Sequence, residues 1–205
     1  MHRLILEADP VIIAAIILSF VIGSIPTGLL IAKSKAIDLR KVGSGNIGAT
    51  NVMRAMGKEA AFLTLLGDIA KGAAAVGIAK ALALGTFYEG ALGLSSILGH
   101  NFSIFLKGKG GKGVATSLGV IIVFSPHVAL FTAILWLLTA KWTRYSSLSA
   151  LVAFGLLPLS IYMLDYSREK MIIAVAITVL IFIGHTANIK RLIQGTESKI
   201  GKGVK

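Results

Sequence analysis

The sequence predicts an all-α integral membrane protein of seven helices, and three observations carry that prediction. Apolar residues gather in blocks long enough to cross about 30 Å of hydrocarbon at about 1.5 Å per residue. Hydrophobic residues make up 55% of the 205, with mean hydropathy +0.83, where a soluble domain holds roughly 45–50% apolar residues. Basic residues, which give a formal net charge of +12, crowd into alternate gaps between the blocks, as the positive-inside rule requires. That placement explains the charge by topology rather than by nucleic acid, and no nucleic-acid partner is expected. The expected organisation is one polytopic membrane domain, 1–205.

The first block runs from about Pro10 to Ala32 and should kink near Pro26. It is too long for a signal-peptide core and has no small-residue cleavage site. The gap Lys33 to Lys58 holds Lys33, Lys35, Arg40, Lys41, Arg54 and Lys58, so it faces the cytoplasm. The preceding tail, with Arg3 against Glu7 and Asp9, lies outside. The second block, about Ala60 to Leu84, is interrupted by Gly67-Asp68-Ile69-Ala70-Lys71-Gly72, and its crossing should start near Leu66. Asp68 and Lys71, three apart, can pair on one helix face. Lys80 snorkels outward.

The third block, Gly90 to Leu106, returns to the glycine and lysine run 107–113. The next, Val114 to Ala140, is broken at Ser125-Pro126. A single crossing would put Lys141, Arg144 and the basic C-terminus outside; a short hairpin turning there puts them inside. The hairpin, forming helices four and five, is preferred, with arms that are tilted or incompletely spanning. Leu148 to Leu164 exits to a nearly neutral loop and Met171 to Ile189 comes back. The N-terminus is then outside and the C-terminus cytoplasmic.

Topology would scatter lysines through the inner gaps, but it does not account for the glycines and asparagines among them. Val42 to Arg54 (VGSGNIGATNVMR) carries Gly43, Gly45 and Gly48 with Ser44, Asn46, Thr50, Asn51 and Arg54, and no carboxylate. Curled glycine backbone presents N–H groups to an anion, and an arginine adds a planar fork for phosphate. A flexible connecting loop would share that composition. The run Gly108, Lys109, Gly110, Gly111, Lys112, Gly113 opens a helix, whose N-terminus favours anions. Lys112 is followed by glycine rather than Ser or Thr, and no strand precedes the run, so it is not a nucleotide P-loop. It reads as a phosphate cradle of another kind or as a basic loop touching anionic headgroups. His100 and Asn101 end one helix. His185 and Asn188 share a face near the end of another, where a histidine in a membrane protein usually has a use.

Absent residues narrow the chemistry. There is no cysteine, hence no disulfide and no thiol nucleophile. No serine-hydrolase elbow or histidine–carboxylate metal set appears. Carboxylates near the inner clusters reduce to Asp38, Glu59 and Asp68, so a reaction without metal or other cofactor is favoured. What remains suits two phosphorylated substrates, one water-soluble and one carrying an acyl tail. The competing reading is an organic-phosphate transporter, against which stand the one-sided clusters and the lack of an inverted repeat.

GSIPTGLLIAK, DLRKVGSGNIGATNVMR, GDIAKG, GHNFSIFLKGKGGKGVATSLG and GHTANIKRLIQG, in that order from about Gly23 to Gly195, resemble the acyl-phosphate-dependent (PlsY-type) glycerol-3-phosphate acyltransferases. The resemblance implies a bacterial cytoplasmic (inner) membrane enzyme whose site opens to the cytoplasm. It transfers an acyl chain from acyl phosphate to the 1-hydroxyl of sn-glycerol 3-phosphate, giving lysophosphatidic acid and phosphate, the first acylation of phospholipid synthesis. By the same resemblance Ser44 and Arg54 sit on glycerol 3-phosphate, with Asn46 and Asn51 beside them. Lys112 with Gly108, Gly110, Gly111 and Gly113 holds phosphate, and His185 and Asn188 orient the acyl phosphate and polarise its carbonyl. Asp68, Lys71, His100 and Asn101 support the site, and Ser147 lies in a region that matches more loosely. Membrane lipids surround the chain, and a monomer is the expected state.

Overall fold

The computed structural model describes residues 9–201, which form eleven α-helices and two short 3-10 helices without a strand. Arg3, Glu7, His2, Lys202 and Lys205 lie outside the described residues. The helices are α1 (Pro10–Ser24), α2 (Thr27–Ser34), α3 (Ala49–Met56), α4 (Lys58–Ala81), α5 (Thr86–Asn101), α6 (Val114–Phe124), α7 (Pro126–Thr143), α8 (Ser146–Gly155), α9 (Leu157–Leu164), α10 (Arg168–Gly184) and α11 (Thr186–Ile193).

The expected count of seven is therefore corrected, and most of the added helices have a local cause. Pro26 separates α2 from α1, although the pair still makes one long apolar span, Pro10–Ser34. The loop after it folds into amphipathic α3. Pro158 follows a 40° bend between α8 and α9, and a 61° bend at His185 separates α11 from α10. The break at Ser125-Pro126 falls where the sequence placed it. The first arm beyond the glycine run, α6, has 11 residues and reaches only about 16 Å, roughly half the hydrocarbon thickness.

One expected interruption is absent. α4 runs unbroken for 24 residues through Gly67 and Gly72. These glycines serve packing instead: a Cβ on Gly67 would strike the Thr27 side chain, and one on Gly72 the Thr116 carbonyl. Close backbone approach through small residues is how helices associate where lipid is as apolar as the core. Gly119 meets the Ile69 carbonyl in the same way, which locks α6 on α4. The main core joins Val76, Ile97, Val120, Phe124, Phe154 and Ile177, all nearly or fully buried. Leu130, Leu137 and Met163 stay 64%, 61% and 71% exposed. In water each would forfeit about 25 cal/mol per Å² of apolar surface; against acyl chains they forfeit nothing.

Candidate active site

Asn51 folds the first polar loop around itself. Its Nδ2 donates to the carbonyls of Asn46 (2.8 Å), Val42 (3.0 Å) and Leu39 (3.2 Å), and its Oδ1 accepts from Ser44 N–H (3.0 Å). The residue is buried, and its amide hydrogens are committed to that loop rather than open to a ligand. Asn46 likewise turns its own chain, its Oδ1 accepting from Gly48 N–H at 2.8 Å. Positive φ angles at Gly43 (57°) and Gly45 (67°) complete the curl, which leaves the Ser44 side chain exposed. Arg54, on α3, projects from the same loop's end. Its Nε is buried without a partner, while Nη2 donates to the Ser198 carbonyl at 3.3 Å.

The glycine run does not offer the row of open amides expected of it. Gly108 N–H donates to Ser103, Gly110 N–H to Asn101 and Gly111 N–H to His100, at 2.9, 3.0 and 2.9 Å. Three of the four glycines named for phosphate thus close the turn onto carbonyls, and exposed Gly108 belongs to its outer edge. Among the described residues, the amides of Lys112 and Gly113 donate to no backbone carbonyl. They mark the start of α6, with Gly113 held at φ 81°. The structural effect of the run is to deliver one ammonium: Lys112 Nζ donates to Asn188 Oδ1 at 2.6 Å.

Asn188 faces a residue that the sequence reading passed over. Glu197 Oε1 accepts from Asn188 Nδ2 at 2.6 Å and from Ser147 Oγ at 2.8 Å, and Oε2 accepts from Arg191 Nε at 2.7 Å. The C-terminal strap that carries Glu197 is clasped in place, with Ile200 N–H donating to the Arg144 carbonyl at 2.7 Å and Arg144 Nη2 returning to the Ile200 carbonyl at 3.2 Å. Thr50 and Ser146 hydroxyls meet at 2.9 Å, tying the first loop to the start of α8. Arg54, Lys112, Asn188, Ser147 and Arg191 are thereby gathered about one carboxylate. The signal for Glu197 was available: it is the only carboxylate in the basic stretch 190–205.

The charges act on one another. Burial brings the Lys112 ammonium down to about 8, with Glu197 opposing and Arg191 and Arg54 reinforcing. Burial also lowers Arg54, against the pull of Glu197 and with the push of Arg191. Burial pushes the Glu197 carboxyl up, but hydrogen bonds from Ser147, Asn188 and Arg191 outweigh it and leave the group below the usual carboxylate range. His185 sits at the α10–α11 bend, where its Nδ1 is 2.7 Å from the Ile181 carbonyl. That oxygen can only accept, so Nδ1 carries a proton, and in the neutral ring Nε2 is then an acceptor. No group of three or more His, Asp or Glu side chains suited to a metal occurs among the described residues.

Asp68, Lys71 and His100 form a separate buried group beneath the glycine turn. Lys71 Nζ lies 2.9 Å from Asp68 Oδ1, and His100 Nδ1 lies 3.7 Å from the same oxygen. Asn101 contributes its carbonyl to the turn.

Residues 13–195 match the family model described as glycerol-3-phosphate acyltransferase. A glycerol-3-phosphate acyltransferase of Sinorhizobium fredii is 45% identical over 194 residues, covering 94% of each chain. One from Mesorhizobium japonicum is 47% identical over 191 residues, covering 93% of this chain and 96% of its own. Among solved structures, PlsY (YgiH), an integral membrane glycerol 3-phosphate acyltransferase, superposes in its glycerol 3-phosphate form with TM-score 0.89 at 41% identity, covering 93% of this chain and 96% of that one. Its lysophosphatidic acid form gives TM-score 0.87 at 39% identity with the same coverage.

Proposed function

The chain belongs to the glycerol-3-phosphate acyltransferase family, and we propose that its donor is acyl phosphate, its acceptor the 1-hydroxyl of sn-glycerol 3-phosphate, and its products lysophosphatidic acid and inorganic phosphate. The reaction takes place at the cytoplasmic face of a bacterial inner membrane, with the N-terminus outside and the C-terminus inside. One observation supports this most: Arg54, Lys112 and Arg191 stand around a single carboxylate, Arg191 in direct contact, Lys112 through Asn188 and Arg54 through the adjoining Ser198 carbonyl. Cations at such density suit phosphate dianions better than any neutral ligand.

Each residue has a part. Arg54, whose Nε has no partner, grips the phosphate of glycerol 3-phosphate, and the exposed Ser44 hydroxyl adds a contact beside it. Lys112 takes the donor phosphate, neutralising charge that grows on it as the C–O bond breaks, while Ser147, whose hydroxyl hydrogen is given to Glu197, acts by holding that carboxylate. Asn188 keeps one amide hydrogen beyond the one given to Glu197, and that hydrogen meets the developing oxyanion. His185 has its proton on Nδ1, so as a neutral ring it accepts rather than polarises the carbonyl. Its Nε2 orients the attacking hydroxyl. Asn46, Asn51 and the glycines act by shaping the loops that carry Ser44, Arg54 and Lys112.

Acyl phosphate is already activated, so no covalent enzyme intermediate is needed; placement and charge stabilisation suffice. The hydroxyl oxygen forms the ester bond as the acyl–phosphate bond breaks, and the hydroxyl proton leaves on the departing phosphate. Purified protein in lipid nanodiscs, given both substrates, should release phosphate and lysophosphatidate in equal amounts. Movement of glycerol 3-phosphate across a sealed vesicle without phosphate release would refute the reading in favour of transport. With His185→Gln, kcat should fall while keeping its pH dependence; loss of that dependence would make His185 the base.

A further inference from the structure

The buried group formed by Asp68, Lys71 and His100 lies away from the cations that meet Glu197, yet it adjoins the turn that carries Lys112. Lys71 and Asp68, whose side chains are 5% and 4% exposed, pair one turn apart on α4. The Lys71 ammonium also donates to the Ile25 carbonyl at 3.0 Å, across the break between α1 and α2. A further bond, Ser96 Oγ to the Lys71 carbonyl at 3.2 Å, fastens α5 to α4. Charges this deep persist only when paired, so three helices are pinned at one polar point.

His100 extends that point upward. Its Nδ1 lies 3.7 Å from Asp68 Oδ1, an electrostatic contact rather than a hydrogen bond, and its backbone carbonyl receives Gly111 N–H at 2.9 Å. The fit above it is tight: a Cβ at Gly110 would strike the His100 carbonyl, and one at Gly111 the His100 ring. The residue after Gly111 is Lys112, whose Nζ reaches Asn188.

We propose that Asp68, Lys71 and His100 are positioning residues that set the height of the Lys112 ammonium, with Gly110 and Gly111 as the glycines that let His100 press directly on the turn. They touch no substrate. The pair fixes the His100 ring, the ring and carbonyl fix the turn, and the turn fixes Lys112. This rests on the reading that Lys112 holds the donor phosphate.

Full-length protein in nanodiscs of phosphatidylethanolamine and phosphatidylglycerol tests it by a double-mutant cycle. His100→Ala should lower kcat/KM for acyl phosphate by about ten- to hundredfold, the cost of a misplaced charge, with the KM for glycerol 3-phosphate nearly unchanged. His100→Gln, which retains bulk and a polar head, should recover part of the loss. In a Lys112→Arg background, which keeps a cation in a different place, His100→Ala should cost less than about threefold, because coupled sites are not additive. Asp68→Asn with Lys71→Met, which removes both charges together, should show the same non-additivity with Lys112→Arg, and it serves as the second arm if His100→Ala fails to fold. Losses that multiply in the combined variants, or an equal rise in both KM values, would mark general loosening and overturn the proposal. A Lys112→Arg enzyme with unchanged kcat/KM would instead overturn the role given to Lys112.

Discussion

Replacing Glu197 by Gln removes the charge that pairs with Arg191 and faces Lys112 and Arg54, and its hydrogen bonds set the size of the effect. The carboxylate accepts three hydrogen bonds, from Ser147 (2.8 Å), Asn188 (2.6 Å) and Arg191 (2.7 Å). Hydrogen bonds to charged groups contribute roughly 1.5–3 kcal/mol each. The Arg191 side chain is 38% exposed, so screening reduces its share to at most about 1 kcal/mol. Gln keeps one acceptor oxygen and can retain one of the remaining two bonds. The net loss is about 2–3 kcal/mol, which lowers the melting temperature by about 4–12 °C for a chain of this size. The pH dependence has a fixed sign. A carboxyl held below its unfolded pKa stabilises the fold above that unfolded value, and the contribution fades as pH falls through the folded one. The gap between wild type and Glu197→Gln should therefore be constant near neutrality and close below about pH 4. Thermal unfolding in nanodiscs, followed at several pH values, measures it. Equal melting temperatures at pH 7, or a deficit undiminished in acid, would show that Glu197 does not anchor this cluster.

Three further outcomes are expected. Lys112, brought down to about 8 by burial, should give kcat/KM an alkaline limb near that pH, because the ammonium proposed to meet phosphate is lost as pH rises. Lys112→Arg should remove the limb from the measurable range. Gly111→Ala, whose Cβ would strike the His100 ring, should lower turnover sharply, whereas Gly77→Ala, with nothing within 4 Å, should raise the melting temperature slightly, since alanine favours helix by roughly 1 kcal/mol. Asp165→Asn at the opposite end of the helices loses the 2.6 Å ion pair with Lys170 and weakens a hydrogen bond from Ser125. It should cost about 1–2 kcal/mol of stability and leave kcat unchanged in activity assays.

The apolar blocks and the break at Pro126 were legible because length, hydropathy and proline each act locally. The bend at His185 was not, since no proline marks it, and its result, Asn188 set against Lys112, is a tertiary contact. Gly67 and Gly72 read as a break in α4 because composition cannot tell a flexible glycine from one pressed against another helix. Open amides were expected at Gly108, Gly110 and Gly111 for a related reason: a glycine-rich string fits a phosphate nest and a turn closed on carbonyls equally well, and only the partners His100, Asn101 and Ser103 decide. Asn51 likewise carried the right chemistry for a ligand and spends it on its own loop.

Glu197 escaped notice because its neighbours in sequence are basic, and that is also what explains it. Arg54, Lys112 and Arg191 stand together at the edge of an apolar bundle, where like charges repel more strongly than in water. Without a counter-charge the site would push them apart and lower the Lys112 ammonium further. A single carboxylate, fastened by Ser147 and Asn188, pairs with Arg191 and offsets the nearby charges of Arg54 and Lys112 while leaving an excess of positive charge. On the proposed reading, that excess draws in two phosphorylated substrates. A second carboxylate would cancel it; none at all would lower the Lys112 ammonium further and leave Asn188 free to turn. The strap from Gly195 to Ile200 is therefore as much a part of the site as the loops proposed to grip phosphate, although no residue in it need touch a substrate.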